Sequence, residues 1–452
     1  MQRRGEVTRM ALFDGLLITA ADHHPESFAR FCRNIPEDWV QQTLVATGTA
    51  TLRRRRLPAE QVVWLVIGMA LYRDRPIDEV VTSLDLVVDP QRGGLSGGTV
   101  PQARAKLGEE PMQRLFEMTA AAWAIESANV YRWRKLAVYG IDGTTMRVAD
   151  SQANREHFGS ASAGKRGISG YPLVRIAVLM VLRSHLLADV SFGPYRDSEM
   201  KHAEQIIDRV PDDSLLIVDR GFLSAAFLLG IQRAGSNRYW LTRAKSNTKY
   251  RIVETLGPGD ALIEMDVSSA ARAKDPSLPL VMRARAISYQ RPGCKPQTLL
   301  TSLLDPRKFP AAEIKLLYHE RWELELGYGE LKTDMLAREE CIRSKSPQMV
   351  RQELWGIFLA YNMVRLEMDR VARQLGIWPT KISFVAALHL IRDEWMWSAG
   401  ARPGAIPRHL HNLRANIKRL VLPPRRRERV YPRAVKLKMS NFPRKRPVGA
   451  SK

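Results

Sequence analysis

The chain has 452 residues, 45% of them hydrophobic and ten of them tryptophan, which excludes a disordered chain and gives room for two or three domains with their own cores. Seventy Lys plus Arg against 47 Asp plus Glu leave a formal net charge of +23, which points to a polyanionic partner, nucleic acid before any other. Cys32, Cys294 and Cys341 stand far apart with no CxxC pair, so a disulfide framework or a zinc site is disfavoured.

Apolar runs such as VVWLVIGMALY from Val62 are too short to span a bilayer, and the N-terminus has no signal-peptide pattern. The expectation is a cytoplasmic, nucleoid-associated protein with no membrane partner.

Residues 1–115 read as a helical N-terminal DNA-binding region, with helices at DWVQQTLVATG, at PAEQVVWLVIGMALYRD behind Pro58, and at TVPQARAKLG closed by Gly108. Arg53, Arg54, Arg55 and Arg56 lie between two of them and read as a DNA contact or a solvated loop. Gln102, Arg104 and Lys106 share a short basic helix that could read DNA.

Residues 116–245 change texture. KLAVYGIDGTTMRVAD, YPLVRIAVLMVL, HLLADVSFG, a helical SEMKHAEQIIDRV, SLLIVDRGF, a helical LSAAFLLGIQRAG and RYWLTRA give the order β-β-β-α-β-α-β. Residues 246–307, broken by Gly257, Pro258, Gly259, Pro276, Pro279, Pro292 and Gly293, read as a separate β-rich insertion. Helical texture returns over 308–400. The last 52 residues, 401–452, carry sixteen Lys plus Arg and one acid, Glu428, and read as a flexible, DNA-adhesive tail.

Within the late helical part, YHERWELELGYGELK places Tyr318, Arg321, Glu325 and Lys332 in a stripe roughly 60° wide at about 100° per residue, with Trp322 at its border. Leu316, Leu317, Leu324 and Leu331 form the expected apolar back. Asp142 and Asp219 each end an apolar strand, where side chains of an α/β sheet project into the ligand crevice. Carboxylates gathered without a cation would repel, so a meeting of Asp142, Asp219 and Glu325 implies a hard divalent ion, Mg²⁺ or Mn²⁺. The bland alternative is an i,i+4 pair of Arg321 with Glu325, worth only a few tenths of a kcal/mol.

With these residues in place the chain resembles the DDE transposases of insertion sequence family four. Tyr318, Arg321, Glu325 and Lys332 match the Y-x2-R-x3-E-x6-K spacing of that family, and DRGF at Asp219, LLDPRKFP before the helix and YNMVR after it are similar too. The resemblance implies an α/β fold with an RNase H-like mixed sheet flanked by helices, plus an all-β insertion, the helical N-terminal domain and the basic tail. It implies two metal ions per active site held by Asp142, Asp219 and Glu325. Tyr318, Arg321 and Lys332 would hold DNA phosphates, and Trp322 would stack a flipped base. Arg243 and Lys245, leaving the last sheet strand, could hold phosphate beside them.

The implied activity is cutting at the element's terminal inverted repeats and joining of the 3′-OH ends to target DNA, by a homodimer on DNA. Two rivals stand: an RNase H-like nuclease that cuts without joining, and an inactive DNA-binding derivative. His157, His185 and His202 lack metal spacing and read as structural or surface residues, and Tyr289 is one candidate for a second aromatic from the β-rich part.

Overall fold

The computed structural model describes residues 35, 37–50, 57–84, 86, 98–161, 170–290, 296–336, 341–399 and 406–423. Arg53, Arg54, Arg55, Arg56, Cys32, Cys294 and most of the basic tail lie outside the described residues.

Five helices open the chain: α1 (Glu37–Ala46), α2 (Ala59–Leu71), α3 (Ile77–Ser83), α4 (Thr99–Leu107) and α5 (Glu110–Val130). Every residue of α2 from Gln61 to Leu71 is buried, as its apolar sequence all round dictates. It lies against α12 (Pro347–Leu375), and the approach is close because Gly356 has no side chain; a Cβ there would stand 2.8 Å from the Val66 carbonyl oxygen. The composition of EPMQRLFEMTAAAWAIESANV, rich in Ala and unbranched residues, suits α5, a helix that the sequence reading passed over.

The strands are β1 (Ala137–Val148), β2 (Leu173–Val181), β3 (Leu187–Pro194), β4 (Ser214–Val218), β5 (Arg238–Arg243), β6 (Arg251–Gly257), β7 (Asp260–Asp266), β8 (Val281–Tyr289), β9 (Gln297–Thr301) and the two-residue β10 (Cys341–Ile342). They form one mixed sheet in the order β3-β2-β1-β4-β5-β9-β8-β7-β6, with β10 on β1. β4 runs parallel to β1, and β5 to β4, while β2 is antiparallel to β1. All five residues of β4 are buried, which explains its unbroken apolar run.

The order β3-β2-β1-β4-β5 with helices on the faces is the RNase H-like mixed sheet expected. The β-rich part is hydrogen-bonded onto that sheet through β9 and β5, with Leu241 opposite Thr301, so it extends the sheet. It also holds a short helix, α9 (Ser269–Lys274), which follows α6 (Gln152–Phe158), α7 (Glu199–Ile206) and α8 (Ala225–Arg233) in chain order.

The late helical part begins with α10 (Ala311–Leu317), tightens to a 3₁₀ turn over Tyr318–Arg321, continues as α11 (Trp322–Gly329) and widens to a π turn over Glu330–Asp334. After α12 come α13 (Phe384–Ala399) and α14 (Ile406–Ile417), the latter within the segment read as tail; Val421 beyond it bridges to Ile382. Among the described residues no helix is long and apolar enough to cross a membrane.

Candidate active site

The first aspartate is not at the end of its strand. β1 runs on to Val148 because Gly143, Thr144 and Thr145 keep pairing with β2, and Arg147 and Val148 pair with β10. Asp142 nevertheless lies at the edge that matters, since the parallel neighbour β4 ends there: Ile141 is opposite Val218, and Asp142 and Asp219 follow in step. Asp219 leads into a 3₁₀ turn, Arg220–Phe222, anchored by buried Phe222 against Phe227 with ring centroids 5.6 Å apart.

Burial pushes the Asp142 carboxyl up to about 6, and the charges of Asp219 and Glu199 add to the rise; the Gly143 N–H and Arg321 oppose it. Glu199 opens α7 behind its cap Ser198 and lies over Gly143, where a Cβ would meet its carboxyl carbon at 2.6 Å. Arg175 holds Glu199 Oε1 at 2.8 Å. Sequence reasoning missed Glu199, because an acid in the first turn of a helix normally reads as a dipole partner.

α11 is seated by Leu324, which fills the space over Gly140 on β1, and by Gly327, which lets Met180 of β2 approach. Leu317, Leu324 and Leu331 are buried in a line repeating every seven residues, whereas Leu316 is 70% exposed. The expectation for Leu316 fails because one residue, about 100°, separates it from that line.

About a quarter turn round from that line, Arg321 donates to Glu325 Oε1 at 3.0 Å, and its charge reaches Asp142 and Asp219 as well. Tyr318 is buried, which pushes its hydroxyl up to about 12, and it feels Arg321, Asp219, Arg243 and Tyr289. Tyr289 packs edge-on to His319, the residue after Tyr318, with ring centroids 6.3 Å apart.

Arg243 reaches the same cluster at the end of β5, and its Nε is buried without a hydrogen-bond partner. Trp322 is 46% exposed, with the Arg321 guanidinium 5.7 Å from its ring centroid. Lys245 is exposed beyond β5 and Lys332 half-buried on the π turn; neither forms an ion pair with a described acid.

The donor chemistry suits a hard divalent cation: acids only, with Asp142 under-neutralised by its neighbours. Glu325 is turned to Arg321, and among the described residues no three His, Cys, Asp or Glu side chains already stand at ligand spacing. A cation among them would offset both the burial of Asp142 and the charges of Asp219 and Glu199 upon it.

Other candidates are placed elsewhere. Arg104 is buried against α12, donating to Gln352 Oε1 at 2.9 Å and Ser344 Oγ at 3.2 Å, so it does not read DNA; Gln102 and Lys106 are exposed. His202 is buried beside Ser191 at 2.8 Å, and His157 packs edge-on to Phe158. LLDPRKFP is a shaped turn: Asp305 caps the backbone of Arg307 at 2.8 Å, and buried Arg285 donates to the Phe309 carbonyl at 2.7 Å.

Comparison with known proteins matches residues 25–117 to the insertion element 4 transposase N-terminal family and residues 133–363 to the transposase DDE domain family. The chain is 38% identical over 406 residues to the transposase InsG for insertion sequence element IS4 of Escherichia coli (strain K12), covering 89% of this chain and 91% of that protein. It is 35% identical over 251 residues to the putative transposase InsZ of the same organism, covering 54% of this chain and 82% of the relative. A piggyBac transposase synaptic complex with hairpin DNA, solved by cryo-EM, superposes with a TM-score of 0.41 at 11% identity over 91% of this chain and 85% of its own; the fold assignment rests on the strand order instead.

Proposed function

Since this chain belongs to the insertion element 4 transposase family and carries its DDE domain, we propose that it binds the terminal inverted repeats of its own element, cuts there, and joins the freed 3′-OH ends to target DNA. The observation that carries the reading is the meeting of Asp142 and Asp219 at neighbouring parallel strands beneath Tyr318 and Arg321.

Asp142, Asp219 and Glu325 are the residues that would hold two Mg²⁺ or Mn²⁺ ions, which when bound activate an attacking oxygen and stabilise the leaving one. Arg321 changes partner in this scheme: it gives up Glu325 and turns to a DNA phosphate, where a planar guanidinium matches the anion. Tyr318 keeps its proton at neutral pH and donates to a phosphate oxygen. The unpaired Nε of Arg243 offers another donor to the backbone, with Lys245 and Lys332 at the margins. Trp322, half in solvent on the same face, offers a plane for a base taken out of the stack.

Both chemical steps are displacements at phosphorus. In the first, water attacks and the 3′-oxygen leaves as 3′-OH; in the second, that 3′-OH attacks a target phosphodiester and displaces another 3′-oxygen. Two ends must meet for this, so a homodimer on DNA is part of the proposal, with the N-terminal helices recognising the ends.

The test is Mg²⁺-dependent cutting of duplexes carrying the element's own ends by the native protein and Glu325→Gln, followed by a strand-transfer assay. Boundary cutting by the native protein, with binding but no cutting by Glu325→Gln, is the expected result. Equal cutting by both removes Glu325 from the site. Cutting without joining would make the protein a nuclease.

A further inference from the structure

Behind the helix that carries Arg321, Glu325 and Lys332 lies a buried polar cluster that the chemistry does not use. Glu330 Oε2 accepts the Tyr361 hydroxyl at 2.9 Å, lies 3.2 Å from His185 Nδ1 and pairs with Arg365. The other nitrogen of His185, Nε2, is 2.9 Å from Glu323 Oε2. Tyr361, Asn362 and Arg365 are the polar residues of YNMVR on α12, and Asn362 pairs with both backbone groups of Leu187 at 2.9 Å where β3 begins. One motif thus ties together α12, the β2–β3 turn and the candidate catalytic helix.

Taking the proposed function as premise, we propose that His185, Glu330, Tyr361 and Arg365 are positioning residues that set the rotation of this helix, and with it the aim of Glu325. Glu323 and Glu330 are seven residues apart, about two turns, and so share one side of the helix. At about 100° per residue, Arg321, Glu325 and Lys332 fall on the diametrically opposite side. A helix gripped at one point can pivot freely; gripped at two points on one side, two turns apart, it can turn only about the line between them, and the buried Leu324 and Leu331, about 90° round the helix, close off that turn. Glu325 lies between the grips.

The cluster is poorly explained by stability alone. Arg365 is fully buried, yet its Nε and one terminal nitrogen lack hydrogen-bond partners. A buried ion pair is often matched or exceeded in stability by apolar residues of the same volume. His185 also holds a left-handed backbone, φ +62°, which an L side chain rarely adopts. What the cluster adds is direction, which side-chain packing on Leu324 and Leu331 would not fix to the same degree. The π turn beginning at Glu330 fits this role, since wide turns inside helices mark places where a grip overrides the regular ladder.

Residues that orient metal-binding side chains from behind typically change metal affinity or activity 10- to 100-fold when altered. The test uses full-length Tyr361→Phe and Arg365→Lys with duplexes carrying the terminal repeats that flank the gene. Three quantities are measured: affinity for the ends without divalent metal, Mn²⁺ affinity of the complex with pre-cut ends by electron paramagnetic resonance, and the single-turnover cutting rate across Mg²⁺ concentrations. Native-like end binding, Mn²⁺ affinity reduced about tenfold and a cutting deficit that shrinks at high metal are expected.

The proposal is overturned if Mn²⁺ affinity is native-like, or if cutting is slowed by one constant factor at every metal concentration, the mark of a merely structural role. Should Arg365→Lys fail to fold, Tyr361→Phe, which removes a single hydroxyl, decides the matter. Glu325→Gln is the control: if it binds Mn²⁺ and cuts like the native protein, the reading of the site falls and this proposal with it. If Glu325→Gln is inactive while both positioning variants behave natively, this proposal falls alone.

Discussion

Glu199 lies so close over Gly143 that a Cβ on the glycine would stand 2.6 Å from the Glu199 carboxyl carbon. Swinging the glutamate away would break its ion pair with Arg175, which holds Oε1 at 2.8 Å. Gly143→Ala therefore strains the residue next to Asp142. Loss of a partly exposed ion pair of this kind costs up to about 1 kcal/mol. The expected outcome is a lowered Tm and impaired cutting, with Tm recovered in Gly143→Ala/Glu199→Ala. If the double variant melts no higher than the single one, the crowding is not the cause.

Leu324 is fully buried over Gly140, and it is the apolar contact that seats the helix carrying Glu325. Removing a buried leucine side chain costs about 2 to 5 kcal/mol. Leu316→Ala, at an exposed position on the preceding helix α10, changes stability by no more than about 0.5 kcal/mol. Denaturant unfolding of the two variants checks this; equal losses would contradict the seating described for Leu324.

How far the sequence could be read depends on what kind of signal each feature carries. Strands such as SLLIV and helices such as PAEQVVWLVIGMALYRD are legible because burial leaves a periodic or continuous apolar mark. The stripe of Tyr318, Arg321 and Glu325 is legible because residues three and four apart share a side in a 3₁₀ turn and an α-helix alike. The extension of β1 beyond Asp142 was not, since it depends on pairing with β2 and, at its last two residues, with Cys341 and Ile342 some two hundred residues later. Nor were the 3₁₀ and π turns, at which Glu320 is held by Arg183 at 2.8 Å and Glu330 by Arg365, partners far away in sequence. Arg104 looked like a DNA reader because a basic residue on a short helix gives no sign that Gln352 and Ser344 await it inside. The three histidines carried no spacing signal, and the bridging role of His185 exists only in three dimensions.

Glu330 gives the fold an acid-sensitive component. Burial alone would raise its carboxyl, but Arg365 and His185 outweigh it and hold it at about 2, against an ordinary 4.5. A depressed carboxyl contributes stability that is fully present above about 4.5 and is lost as pH falls toward about 2. The linked free energy is about 3 kcal/mol as an order of magnitude. Stability of the native protein relative to Glu330→Gln, measured in denaturant at pH 6 and pH 3, is expected to shrink at the lower pH. A difference independent of pH would mean that Glu330 is not ionised in the folded state.

The C-terminal 29 residues, 424–452, hold eleven Lys plus Arg and one acid, Glu428, so charge alone predicts that they bind DNA backbone. Each phosphate contact they supply releases counterions and steepens the salt dependence of binding by about 0.9 in log–log slope. Truncation after Pro423 is expected to weaken binding to the element's ends and to unrelated duplex by similar factors. It is also expected to make the slope shallower by several units, while the preference for the ends persists if, as proposed, the N-terminal helices recognise them. Titration of both duplexes at several salt concentrations checks this. An unchanged slope would show that these basic residues do not contact DNA, and a lost preference for the ends would show that they take part in recognising them.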